Sequence, residues 1–140
     1  MDLQQVAPKN AVLNEPLKGL KLLIVDDSND YRDMLALRLR RFGADILTAD
    51  SGFRALELIK TETLDVILMD IQMPQLDGLR TIKLIREGGV KTPIITVTAL
   101  KDILKLTPDD TREIAAHAGK PTDIPDLVET IQGVLAIRDL

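Results

Sequence analysis

The chain has 140 residues, 45% hydrophobic and 29% charged, with a net charge of −4 and no cysteine. That balance describes one globular domain able to bury its own core rather than a disordered chain, and the missing cysteines exclude a disulfide-stapled fold and a thiolate metal site. The negative charge argues against direct nucleic-acid binding, and no apolar run approaches the roughly 18 residues of a membrane span.

Residues 1–19 contain Pro8, Pro16 and Gly19 and hold no sustained period, so they read as an N-terminal extension or linker ahead of a domain over residues 20–140. The opening MDLQQVAPKN lacks the basic-then-apolar layout of a secretory signal, and together with the missing cysteines it suits a cytoplasmic setting. Residues 20–25 form a continuous apolar run of strand length, the pattern of a parallel strand buried on both faces. Tyr31, Leu35, Leu39 and Phe42 then recur at helical spacing, with Gly43 as the stop. Arg32, Arg38, Arg40 and Arg41 crowd this segment, and the last three complement a helix C-terminus. Residues 45–49 read as a second strand, and Ser51 opens a helix carrying Leu56 and Ile59.

Residues 66–69 read as the third strand. Asp77 caps a helix with Leu79, Ile82 and Ile85 inward and Gly88-Gly89 as its stop. "TPIITVTA" supplies a fourth strand, and "TDIPDLVETIQGVLAI" a last helix begun by Asp123 and Pro125. Between them, residues 100–119 give conflicting signals. Thr107-Pro108-Asp109-Asp110 looks like a helix start, and residues 115–118 have a helical composition, yet the alternation calls for a fifth strand there. The alternation itself implies an α/β fold, a doubly wound parallel sheet with helices on both faces.

Ligands of such sheets bind beyond the carboxyl ends of the strands. Asp26 and Asp27 follow the first strand, Asp70 the third and Thr98 the fourth, and Lys120 stands before Pro121, where a fifth strand would end. Three acids, a hydroxyl and an ammonium suit a divalent cation and a phosphoryl group. Singly, each has an ordinary explanation. Asp26-Asp27-Ser28 can cap the first helix, Asp70 can sit in a turn before Pro74, and Lys120 can be solvated.

"LLIVDDS", "VILMDIQMPQLDG", "PIITVTA" and "GKP" resemble a response-regulator receiver domain, the phosphoacceptor module of two-component signalling, over about residues 20–140. The resemblance implies a single (βα)5 flavodoxin-like domain with strand order 2-1-3-4-5. It implies Asp70 as phosphoacceptor, and Mg²⁺ held by Asp27, Asp70 and the backbone carbonyl of Gln72, with Asp26 acting mainly through metal-bound water. Thr98 and Lys120 would bind the phosphoryl oxygens, and the Lys120–Pro121 bond would be cis. The implied partner is a histidine kinase or histidine phosphotransfer protein. The domain would not be an enzyme, beyond slowly dephosphorylating itself. His117 stands where the family usually has a switch aromatic, so it is a candidate switch position, a pH-sensing role being weighed against a partly exposed histidine with none. Residues 113–116 also depart from the family's Gly-Ala-Asp-Asp stretch, and Pro108 falls within its fourth helix. Two other readings use the same residues. A haloacid-dehalogenase-like phosphatase would need a second acid two residues after the nucleophile, where this chain has Gln72. A receiver acting as an unphosphorylated binding module would leave a complete acceptor site unused.

Overall fold

The computed structural model describes residues 15–139, so most of the extension expected over residues 1–19, and Leu140, lie outside the described residues. The core begins before residue 20. Leu17 is fully buried, and its N–H donates to the Phe42 carbonyl at 2.9 Å.

The elements run β1 (Lys21–Val25), α1 (Asn29–Arg41), β2 (Asp45–Ala49), α2 (Gly52–Thr61), β3 (Val66–Met69), α3 (Gly78–Glu87) and β4 (Ile94–Ala99). Then come α4 (Leu100–Ile103), α5 (Pro108–Arg112), β5 (Ala116–Lys120) and α6 (Ile124–Arg138). The sheet is parallel throughout, in the order β2-β1-β3-β4-β5. Each crossover carries a helix to one face or the other, which produces the two helical layers expected of the alternation.

Unbroken apolar strands follow from that layering. Leu22 and Ile24 join a cluster with Leu35 and Leu39 of α1 and Leu127 and Ile131 of α6. Leu23 and Val25 point the other way, to Ala55 of α2 and Ile82 and Ile85 of α3. Both faces are dry, so neither parity of the strand can be polar. Leu56 and Ile59 are half-buried at the rim of this second cluster, where Gly52 and Ala55 make the close approach, and Leu79, expected inward, is also only half-buried. Gly43, with φ +97°, ends α1 in the left-handed conformation that glycine adopts without steric cost.

The ambiguous stretch resolves into two short helices and a strand. α5 begins at Thr107 with a complete capping box closed by Asp110. The helical composition of residues 115–118 is overridden: Ala116 pairs with Ile95 and Lys120 with Ala99 along the otherwise open edge of β4. Alanine's propensity amounts to tenths of a kcal/mol per residue, less than the backbone hydrogen bonds that β4 would leave unmade. Among the described residues no helix is long and apolar enough to cross a membrane.

Candidate functional site

Strand geometry brings the acids together. Asp26 and Asp70 each continue the ladder one residue past their strands, the Asp26 N–H donating to Ala49 at 3.1 Å and the Asp70 N–H to Val25 at 2.9 Å. The two carboxylates therefore stand side by side at the carboxyl edge, 2% and 5% exposed, while Asp27 faces solvent. One oxygen from each of Asp26, Asp27 and Asp70 falls within 4.8 Å of the others. The helix-capping role that competed for this stretch belongs to Ser28, whose side chain accepts from the Tyr31 N–H. Asp26 Oδ1 accepts from the Ser28 N–H at 2.9 Å, and Arg32 Nη1 donates to the Asp26 carbonyl at 2.7 Å.

Thr98 and Lys120 reach the same place. Thr98 lies within β4 rather than after it, and its hydroxyl donates to Asp70 Oδ1 at 3.1 Å, beside the Gln72 N–H at 3.2 Å. Lys120, the last residue of β5, sets its Nζ 2.6 Å from Asp26 Oδ2 and 3.4 Å from Asp70 Oδ2. The Lys120–Pro121 peptide is cis. The ammonium offsets the repulsion that three converging carboxylates would otherwise carry.

Burial pushes the Asp70 carboxyl above its ordinary range, with the Asp26 charge adding to the rise and the Lys120 ammonium and the Thr98 hydroxyl opposing it. For Lys120 burial pulls downward, but the hydrogen bond and charge of Asp26, with Asp70 behind them, outweigh it and hold the ammonium above its usual value. A raised carboxyl pKa means that the folded state loses stability as pH rises through that value. Asp70→Asn, which cannot ionise, is therefore expected to melt above the wild type in metal-free buffer at neutral pH. The advantage should shrink toward zero as both are melted at about pH 3. An advantage that persists unchanged at low pH would place its origin elsewhere.

Three neighbours went unnoticed as site residues in the sequence. Tyr31 read only as a core position, yet its ring lies against the Lys120 ammonium. Arg32 read as part of a basic cluster and instead fixes the Asp26 backbone. Asp102 carried no signal at all. It is 6% exposed, and its Oδ1 accepts from Gln72 Nε2 at 3.2 Å. His117 lies on the exposed side of β5, with Nδ1 2.6 Å from the hydroxyl of buried Thr96. Partial burial of its ring lowers its pKa below the ordinary histidine value.

The loop after β3 depends on Gly78. A Cβ there would stand 2.2 Å from the Asp70 carbonyl oxygen and 2.7 Å from the Ile71 Cα, both backbone atoms. Gly78→Ala is expected to displace the Asp70 loop and to cost about 1–3 kcal/mol in chemical unfolding. An alanine variant of unchanged stability would show that the loop yields freely.

A parallel sheet ordered 2-1-3-4-5 thus gathers an aspartate trio, a threonine and a lysine at its carboxyl edge. The chain belongs to the response regulator receiver domain family, whose description matches residues 22–132. It is 38% identical over 120 residues to the probable transcriptional regulator ycf27 of Cyanidium caldarium, covering 81% of this chain and 45% of that protein. It is 40% identical over 153 residues to histidine kinase 3 of Arabidopsis thaliana, covering 91% of this chain and 15% of that one. The chain thus spans less than half the length of these curated relatives. Among solved structures it resembles a CheY-like receiver domain protein from Methanospirillum hungatei JF-1, with a TM-score of 0.76 and 29% identity over 86% of this chain and 98% of that one.

Proposed function

We propose that Asp70 is the phosphoacceptor of this receiver domain and that its donor is the phosphohistidine of a kinase or phosphotransfer protein. One observation carries the reading: only Asp70 among the three acids is met by a hydroxyl, a backbone N–H and an ammonium together, from Thr98, Gln72 and Lys120. A carboxylate oxygen of Asp70 bonds to phosphorus as the P–N bond to the donor imidazole breaks, and the imidazole leaves with the bonding pair. Thr98 and Lys120 then hold phosphoryl oxygens, the hydroxyl by a hydrogen bond and the ammonium by a charge-assisted one.

The donor set fits a hard dication. Asp26, Asp27, Asp70 and the Gln72 carbonyl offer oxygen alone, the ligand type that Mg²⁺ prefers, and Mg²⁺ would supply the positive charge that lets an anionic acceptor meet an anionic donor. Gln72 has no proton to give a leaving group, which favours a phosphoacceptor with slow self-dephosphorylation over a phosphatase. The absence of cysteine suits a cytoplasmic setting. Phosphoramidate with Mg²⁺ is expected to add one phosphoryl group per chain in intact-mass spectra. An unchanged mass under conditions that label another receiver would leave the binding-module reading in its place.

A further inference from the structure

Lys120 has a third neighbour that phosphoryl transfer, as described above, does not use. The Tyr31 ring, half-buried on the first turn of α1, lies with its centroid 4.2 Å from Lys120 Nζ. That is inside the distance at which a cation is drawn to an aromatic face. The Tyr31 hydroxyl is hydrogen-bonded to the Thr122 hydroxyl, and Thr122 Oγ1 in turn donates to the Gly119 carbonyl at 3.1 Å. One side chain from α1 thus touches the ammonium and braces the turn on either side of the residue that carries it.

We propose that Tyr31 is a positioning residue for Lys120, holding the ammonium at the acceptor through the face of its ring. This rests on the phosphoacceptor reading, and it follows from a difference in kind among the three contacts. Asp26 and Asp70 hold the ammonium by hydrogen bonds, and each such bond occupies an N–H and a carboxylate oxygen. The same carboxylates would hold a cation, and the same N–H groups would meet phosphoryl oxygens. The ring attracts the charge without accepting a directed hydrogen bond from a particular N–H, so it is the one contact that need not be given up when the acids or the lysine are engaged. Leucine would fill much of the same apolar space against the core cluster shared by α1 and α6 but would offer no such attraction.

The test compares Tyr31→Phe, which keeps the ring and loses the hydroxyl, with Tyr31→Leu, each alone and in a Lys120→Ala background. Labelling by acetyl phosphate in Mg²⁺ is followed by mass. The Lys120 side-chain CH₂ resonances are followed by NMR in Mg²⁺-free and Mg²⁺-containing buffer. The phenylalanine variant should label within about twofold of the wild type, and the leucine variant about five- to tenfold more slowly. The leucine change should have no further effect once Lys120 is gone. The Lys120 methylene protons next to nitrogen should be shifted upfield by the ring in wild type and Tyr31→Phe, with or without Mg²⁺, and should return to the free-lysine position in Tyr31→Leu. Equal slowing by both single variants, a leucine effect that persists without Lys120, or an unshifted Lys120 resonance in the wild type would each overturn the proposal. A wild type that takes no label overturns the phosphoacceptor reading and the catalytic importance of the contact with it. The NMR shift still decides separately whether the ring holds the lysine.

Discussion

Asp70→Asn is expected to take up no phosphoryl group from acetyl phosphate or phosphoramidate in Mg²⁺, under conditions that label the wild type once per chain. An amide at that position cannot form the acyl phosphate, and the neighbouring acids are poorly placed to replace it. Asp26 is engaged by Lys120 at 2.6 Å and by the Ser28 N–H at 2.9 Å, so both its oxygens are already spoken for. Asp27 faces solvent and shares none of the three donors that converge on Asp70. Since each 1.36 kcal/mol of lost transition-state stabilisation slows a step tenfold, an acceptor without those donors falls orders of magnitude behind. Intact-mass spectra decide it. Equal labelling of wild type and variant would move the acceptor off Asp70.

The second large effect concerns stability. Lys120→Ala leaves Asp26 and Asp70 buried side by side with no cation between them, and removing one partner of such a set is far more costly than the net worth of the intact set. The metal-free variant is expected to lose about 3 kcal/mol in chemical unfolding relative to the wild type. Added Mg²⁺ should then return a large part of the loss. In the wild type the same ion should stabilise by RT ln(1 + [Mg²⁺]/Kd), about 1.4 kcal/mol at tenfold excess over Kd, and in the variant the two acids lack a competing ammonium. Unfolding curves with EDTA and with excess Mg²⁺ separate the contributions. A wild type and a variant that both ignore Mg²⁺ would remove the metal site, and a variant as stable as the wild type in EDTA would show that Lys120 is not what reconciles the buried acids.

The chain's organisation was legible where one force acted on many residues at once. Unbroken apolar runs, caps at Asp77 and Asp123, and acids placed directly after strands all report burial on two faces and a common edge, so strand positions and the residues that meet at that edge are legible in the sequence. Where few residues compete, the reading weakened. The strand character of residues 116–120 depends on an unpaired edge 21 residues upstream, as in the Thr96–His117 contact, and no local preference of AHAGK announces it. Leu17 was assigned to the extension because Pro16 and Gly19 flank it, although its side chain closes the core beneath α1. Tyr31 and Asp102 act through partners 89 and 30 residues away in sequence, with nothing in their own neighbourhoods to mark them. Arg38, Arg40 and Arg41 all stand in the last turn of α1, as their complement to a helix C-terminus implies.

The corner formed by α4, α5 and the outer side of β5 differs from the rest of the molecule in how little holds it. α4 has four residues and no side-chain cap, Leu100 and Leu104 are 62% and 75% exposed, and every second residue of β5 faces solvent. Asp102 is the buried side chain of α4, and the Gln72 amide holds it. Opening free energies within one protein range from near zero to the full unfolding value, and segments with so few buried apolar contacts fall at the low end. Rearranging this corner therefore lies within reach of one or two charge-assisted hydrogen bonds, which contribute about 1.5–3 kcal/mol each. A difference of that size between two arrangements shifts their populations by roughly tenfold to a hundredfold, while the two apolar layers around β1 and β3 stay as they are.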